Sequence, residues 1–480
     1  MQRRGTTYLA IAECAAFCGL FFWVLGLNDF SAYTDAGIHY AFAAELQRTM
    51  RWPLPLTSGM AGIAHYPPAS HAASILIGSL AGSTLLGMFA LTALSFATAY
   101  LALGELLRHK DKERTLYAFL IFLILSVVLR KARFVVGNEI IANFFFAQFV
   151  GTAALLSVFL FLRKLKLRFA SRLTLGATLT NLIGWIYPIS AIEFALACVA
   201  FEFMSLVRAP SWRSAAGLAL SALLLGAAAL VHPTLIGAVD IAGNDGGISV
   251  SSLTLVLGYV ALLIGIAALF HFCRDKLRNQ DTVVALSLGV LLACTLQALA
   301  FGALNLGSLY AVKKYGFLLG TMAIGVWSVV IAQWLPEWRC WPLTTLTLRM
   351  TLLFAVAGLA AAIVGRPKTP LRDLIAYDQQ VKDLIVVHPE LIRESVSWNL
   401  EQSAHVNYVI GVGVLQPMAL MDQHAVFLPA LYSGNTRYVI VEAGEAIHFA
   451  ADCVQATNGK LTAIHSRCFS PDDGFLKKKM

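Results

Sequence analysis

Charge is what this chain has least of. Asp, Glu, Lys and Arg make up 13% of its 480 residues, against 58% hydrophobic residues and a mean hydropathy of +0.71. A chain with so little polar surface to offer water does not make an ordinary soluble globule. Cysteine is scarce as well, eight in all. Neither a CxxC nor an HExxH spacing occurs, so the common zinc-site patterns are missing. No glycine-rich nucleotide-binding motif appears, and no internal repeat of the kind that builds a two-half transporter. The apolar run after MQRR lacks a small-residue cleavage site and is read as a retained helix, not a signal peptide.

What is present is a series of apolar runs of about 20 residues, the length that crosses a bilayer. Spans are expected near 7–27, 84–107, 115–134, 140–162, 173–187, 189–207, 214–231, 252–272, 281–302, 315–334 and 349–365. Residues 70–83 are apolar but short and are read as a juxtamembrane or re-entrant helix. With eleven crossings and a cytoplasmic start, the inner segments hold 18 Lys and Arg and the outer membrane loops 7. That asymmetry is the positive-inside pattern. Counting 70–83 as a crossing would reverse it. The net charge of +9 is thereby explained by topology, and nucleic acid is not an expected partner.

This topology puts residues 367–480 outside the cytoplasm as a second domain, after a transmembrane domain of residues 1–366. DLIAYDQQVKDLIVV reads as an amphipathic helix, and AVFLPALY and TRYVIVEA read as strands joined by a Ser433-Gly434-Asn435 turn. About 110 residues suffice for a small α/β domain. Cys453 and Cys468 alone among the cysteines sit in a polar segment, and an oxidising outer face would let them form a disulfide. The expected fold is therefore an all-α polytopic membrane protein with a small C-terminal α/β domain.

The polar residues concentrate in the first loop, Asn28 to His71. Asp29 and Asp35 follow the first span, where a carboxylate could accept the proton of a sugar hydroxyl. Asp35 could equally cap the next helix. Residues 36–50 form an amphipathic segment ending near Arg48, which suits lipid headgroups or a lipid-borne phosphate. His65-Tyr66-Pro67-Pro68-Ala69-Ser70-His71 then fixes an extended turn before a new helix. Two basic clusters run against the charge rule on the outer side: Arg130, Lys131 and Arg133, and Lys313 and Lys314 next to Tyr310. Glu193 lies inside an apolar run, costly there unless paired or facing a wet cavity. His232 opens the 232–251 loop.

A first span, an outer loop that opens with an acid, amphipathic helices, a Tyr-Pro-Pro turn and an outer soluble tail together resemble the GT-C glycosyltransferase superfamily. The resemblance implies transfer of a sugar from a polyprenyl-phosphate donor to an extracytoplasmic acceptor, at a bacterial inner membrane, with inversion and no required cofactor. A divalent cation could sit at the loop aspartates. It makes Asp29 or Asp35 the base. It places Tyr66, Pro67 and Pro68 in the donor-side wall of the substrate site, and His65, His71, Glu193 and His232 are the further candidates for that wall. The donor phosphate would meet Lys313, Lys314, Tyr310, Arg48 or the Arg130, Lys131 and Arg133 cluster. Tyr310-Ala311-Val312-Lys313 is also similar to Tyr-x-x-Lys segments of arabinofuranosyltransferases. The alternatives are a transporter or flippase of lipid-linked glycans, or a polysaccharide polymerase.

Overall fold

The structure, a computed structural model, describes residues 34–55, 63–129, 139–140, 144–165, 167–235, 248, 251–274, 276–335, 371–392, 394–397, 409, 437–446 and 449–468. It is mostly helical, with a small sheet near the C-terminus. The expected spans at 7–27 and 349–365 lie outside the described residues, as do the expected strand AVFLPALY and the turn after it.

The nine other expected spans each fall on a helix. These are α3 (Thr84–Leu106), α4 (Lys112–Val128), α5 (Phe146–Lys164), α6 (Phe169–Ile186), α7 (Pro188–Arg208), α8 (Trp212–Leu230), α9 (Ser252–Phe272), α10 (Gln280–Leu304) and α11 (Leu309–Ala332). All but α4 and α6 are long and apolar enough to cross a membrane, seven among the described residues. Their starts are chemically marked. Pro188 begins α7, where a missing N–H costs nothing. The side chains of Ser211, Ser251 and Ser308 accept from the amides of Ser214, Thr254 and Ala311 to cap α8, α9 and α11.

Two compact units emerge, each discontinuous in sequence where the expectation was one cut at 366/367. The first takes in His65–Ser70 and Leu91–Val364, and the second Leu25–Ala64, His71–Ala90 and Gly365–Met480. In the first, α11 is the central helix, with 89% of its apolar window buried. It packs along α4, α9 and α10, while α7 packs along α8 and α10. By contrast α8 and α9 bury only 17% and 28% of theirs. They leave Leu220, Leu223, Leu224, Leu253, Val256, Leu257 and Ile264 exposed. Such stripes would aggregate in water and are normal against lipid tails.

One end of this bundle gathers the acids and bases. Arg108 and Lys164 pair with Glu105, Arg172 with Glu202, and Arg208 with Asp281. His109 bridges to Leu277, and Lys110 and Arg278 exchange backbone bonds with Lys276 and Arg108. The segments counted as cytoplasmic at 108–114 and 274–278 therefore lie side by side. The N-terminus of α11 is at the other end, about 36 Å away along a 24-residue helix.

In the second unit, α1 (Thr34–Thr49) and the short apolar α2 (Ala69–Ala81) join α12 (Leu371–Val387) and a four-stranded sheet. Gly82, at φ +75°, turns the chain between α2 and α3 in a conformation that a side chain would resist. The strands are β1 (Ser395–Ser397), β2 (Tyr438–Glu442), β3 (Val454–Thr457) and β4 (Leu461–His465), in the order β1-β2-β4-β3. β1 and β2 are parallel, and the other pairs antiparallel. Tyr377 of α12 donates to Glu442 at 2.6 Å, and Asn458 donates to the Gln380 carbonyl at 2.9 Å, which ties the helix to the sheet.

Cys453 and Cys468 are joined by a disulfide that packs beside Val439, Val441 and Ile464. Peptide mapping after thiol alkylation of unreduced, denatured protein is expected to leave both cysteines unlabelled until reductant is added. Labelling of both without reductant would remove the bridge.

Candidate active site

The N-terminus of α11 carries a polar cluster at the end of the first unit away from the ion pairs. The expectation placed Tyr310, Lys313 and Lys314 in a segment before the tenth span. The Ser308 cap instead starts the helix at Leu309, so all three stand in its first turns. Lys314 Nζ lies 4.6 Å from the Tyr310 ring centre, 4.7 Å from Phe145 and 5.6 Å from Tyr187. It also donates to the Tyr187 hydroxyl at 3.0 Å. A half-buried ammonium is thus held against two aromatic rings, Tyr310 and Phe145, and by the hydroxyl of a third, Tyr187. Lys313 points elsewhere and donates to the Ile248 carbonyl at 3.2 Å.

The supports of this lysine come from two helices. Gln148 of α5 donates to the Lys314 backbone carbonyl at 2.8 Å. A Cβ on Gly151, one turn along, would sit 2.8 Å from Ser190 Oγ and from Tyr187 Cβ, so α5 and the start of α7 touch there through glycine alone. Tyr187, the residue before the helix-starting Pro188, is fixed by that contact. Tyr315 is fully buried and within electrostatic range of Tyr187 and Glu193. Glu193 lies one turn into α7, 2% exposed, and interacts with Glu139, which is fully buried. Two carboxyl groups and a caged lysine therefore share one end of the bundle. Such a group can hold an anion at the lysine.

His232 closes the same end of α6. Its Nδ1 meets Thr234 Oγ1 at 2.7 Å, and Thr234 Oγ1 donates to the Gly184 carbonyl at 2.9 Å. The ring stands edge-on to Trp185, with centroids 4.9 Å apart. Burial pushes its imidazole below the ordinary histidine value, partly offset by the backbone of Asn181. A neutral ring locked in this way secures the α6 end. His65 is exposed, Tyr66 half-buried and Pro67 buried in the segment leading to α2.

In the second unit, Asp35 lies in the first turn of α1, inside the helix and not at its cap. Arg48 pairs with the buried Glu45 on the same helix, so its charge is already matched. His71 Nε2 meets His39 Nδ1 at 3.1 Å, the rings stacked and Phe42 edge-on to His71. Beside them, Asp378 of α12 is fully buried and accepts from Tyr40, from Ser83 at 3.0 Å and from Lys382 at 2.9 Å. Burial and the nearby Asp378 charge push the Tyr40 phenol well above its usual range, so it stays a donor. Asp29, Arg130, Lys131 and Arg133 lie outside the described residues. Among the described residues, no group of three His, Cys, Asp or Glu is arranged to hold a metal ion.

Sequence reasoning picked out Lys313, Lys314, Tyr310 and Glu193 because each puts a charge or phenol where the membrane pattern disfavours it. It missed Gln148, Phe145 and the nearness of Glu139 to Glu193. Tyr187-Pro188 was a visible signal for the cage. Apart from Lys382 one turn on, nothing local marked Asp378, whose other partners, Tyr40 and Ser83, come from 338 and 295 residues away.

No protein-family model matches the chain, and no curated protein does. Among solved structures it is similar to the crystal structure of ArnT from Cupriavidus metallidurans bound to undecaprenyl phosphate. The two share 11% identity over 96% of this chain and 98% of that one, with a TM-score of 0.35. At that TM-score the likeness carries no argument about chemistry.

Proposed function

We propose that this chain is a GT-C-type membrane glycosyltransferase, moving one sugar from a polyprenyl-phosphate donor to an acceptor on the outer face of the membrane. The observation that carries the reading is Lys314, an ammonium held between two aromatic rings and a tyrosine hydroxyl at the bundle end away from the basic loops. A cation fixed at that end needs an anionic partner, and a lipid-borne phosphate brings one to membrane depth. Aromatic faces beside it offer a surface on which a sugar ring can rest.

In the reaction, the acceptor oxygen forms a bond to the anomeric carbon as the bond from that carbon to the phosphate oxygen breaks. The electron pair leaves with polyprenyl phosphate, whose growing charge Lys314 and Lys313 stabilise. The acceptor proton passes to a carboxylate of the first loop, Asp29 or Asp35. Attack from the face opposite the leaving phosphate inverts the anomeric centre. The roles of His65, Tyr66, Pro67, Pro68 and His71 in the sugar-binding wall belong to the same proposal.

Purified protein in nanodiscs, given a labelled polyprenyl-phosphate sugar and an envelope-glycan acceptor, is expected to release free polyprenyl phosphate. A transporter or flippase would release none. Lys314→Ala should raise the donor KM roughly ten- to a hundredfold, the worth of one charge-assisted contact. Lys313→Ala should have the smaller effect, since its ammonium already has a carbonyl partner. Normal donor affinity in the double variant would move the phosphate site away from α11, to the Arg130, Lys131 and Arg133 cluster.

A further inference from the structure

The charged end of the first unit carries two tryptophans that the proposed transfer does not use. Trp212, the first residue of α8, is 76% exposed, and Trp334, just past the end of α11, is 67% exposed. A large aromatic ring left open to water forgoes a sizeable hydrophobic gain, so exposure on this scale calls for another partner. Both rings stand at the same end of the bundle. Arg208, joined to Asp281 in the first turn of α10, lies four residues before Trp212. Arg114 donates to the carbonyls of Ala332 and Leu335, on either side of Trp334. Phe272, at the end of α9, meets the Trp334 ring edge-on, with centroids 5.0 Å apart. The Arg213 guanidinium lies 5.7 Å from the Trp212 ring centre.

The outward side chains change character at this level. Phe161 precedes Lys164 on α5, Val207 precedes Arg208 on α7, and Phe272 precedes Arg274 after α9, all of them exposed. In each case exposed apolar surface gives way to an exposed cation within about one helical turn. Lys110, Arg168, Arg213, Arg274, Lys276 and Arg278 are exposed at this end as well, and none is in an ion pair among the described residues. The apolar band that begins here has the thickness of a hydrocarbon core. Exposed Leu230 stands 18 residues from Trp212 on α8, about 27 Å along the helix. Exposed Leu253 stands 19 residues from Phe272 on α9, about 28 Å. A bilayer interior is about 30 Å thick. Indoles collect at the edge of that interior, where the ring stays among apolar groups and the N–H meets headgroups.

We propose that Trp212 and Trp334 anchor this end of the bundle in the headgroup layer of an anionic leaflet, with the six cations against its lipid phosphates. The partner is a membrane surface, not one bound lipid, and unmatched cations of this number favour an anionic one. α11 carries Lys314 18 residues before Ala332, about 27 Å away, so the lysine stands at the opposite edge of the same band. The anchoring does not depend on the transferase reading.

The test uses full-length protein in nanodiscs of phosphatidylcholine, alone or mixed with phosphatidylglycerol. Trp212→Phe and Trp334→Phe each remove one emitter, so the difference from wild type isolates its fluorescence. Each difference is expected to be quenched several-fold more by lipids brominated near the headgroup than by lipids brominated near the chain ends. Stronger quenching from the chain ends overturns the proposal. So does quenching by aqueous iodide alone, and so does an indole that neither quencher reaches, which a second copy of the chain would cover. A second readout needs no variant. Acetylation of Lys110 and Lys276 by a water-soluble reagent should slow several-fold when phosphatidylglycerol is present, measured by mass spectrometry against exposed Lys460 of the second unit. Equal rates in both membranes overturn the anionic leaflet even if the variants fail to fold.

Discussion

Replacing Asp29 by Asn is expected to cut kcat roughly a hundredfold or more, the usual scale for losing a general base. Expression and donor KM should stay near normal. The substitution keeps the shape and the hydrogen bonding of the side chain and removes only its basicity. Asp29 is favoured over Asp35 on position. On the sequence expectation it follows the first span directly, where the membrane would fix its height, and a base must be held within hydrogen-bond reach of the hydroxyl it deprotonates. Asp35 stands in the first turn of α1, where an acid is stabilised as its anion by the helix N-terminus. That suits starting a helix or orienting an acceptor. A fully active Asp29→Asn beside an inactive Asp35→Asn would transfer the role to Asp35. Normal turnover by both single variants and the double variant would remove this loop from catalysis and leave the transferase proposal without its base.

The largest expected loss of stability lies at Asp378. Its carboxylate is fully buried and serves Tyr40, Ser83 and Lys382 at once. Asp378→Ala leaves an ammonium and two hydroxyls without that acceptor. Breaking one side of a buried charged network costs about 3–5 kcal/mol. Tyr40→Phe removes one donor and should cost about 1 kcal/mol. Whole-protein melting of a multi-unit membrane protein is not a single transition, so the local opening is the quantity to follow. Amide exchange along α12 is expected to speed up by roughly a hundred- to a few-thousandfold in Asp378→Ala, by the same magnitude expressed as an opening equilibrium. Exchange in α10 should not change. Unaltered exchange in α12 would show that Asp378 is an incidental contact.

How much of this was legible in the residues depends on how local the signal was. The helix positions were, because a bilayer demands long apolar segments whose backbone bonds are internal. Nine expected spans coincide with helices, and the short reading of residues 70–83 agrees with the 13-residue α2. Lys313 and Lys314 stood out through their placement on the sparsely charged side. That they diverge, one to a carbonyl and the other into an aromatic cage, follows from a 100° step around a helix that begins at Leu309. The start depends on Ser308, a cap that an apolar-run reading overlooks. Glu193 announced itself as a costly charge, but its neighbour Glu139 is 54 positions away and nothing nearby points to it. His39 and His71 both lie in the first loop, yet their pairing needs α1 and α2 to fold against each other. The mixed sheet order β1-β2-β4-β3 was likewise out of reach, since the pairing of β1 with β2 joins segments separated by more than 40 residues.

The Tyr40 contact with Asp378 has a bearing on how the chain is made. The two residues are 338 positions apart. At about 5–20 residues per second, a ribosome produces the second roughly 17–70 s after the first. For that interval α1 has been synthesised but the helix that supplies its buried acceptor has not. Tyr40 and Ser83 must wait, hydrated or held by a chaperone, until α12 emerges. α1 therefore leaves the ribosome well before it can reach its final packing. Premature termination anywhere before Asp378 would yield membrane helices carrying an unfinished loop, a natural mark for proteolytic clearance.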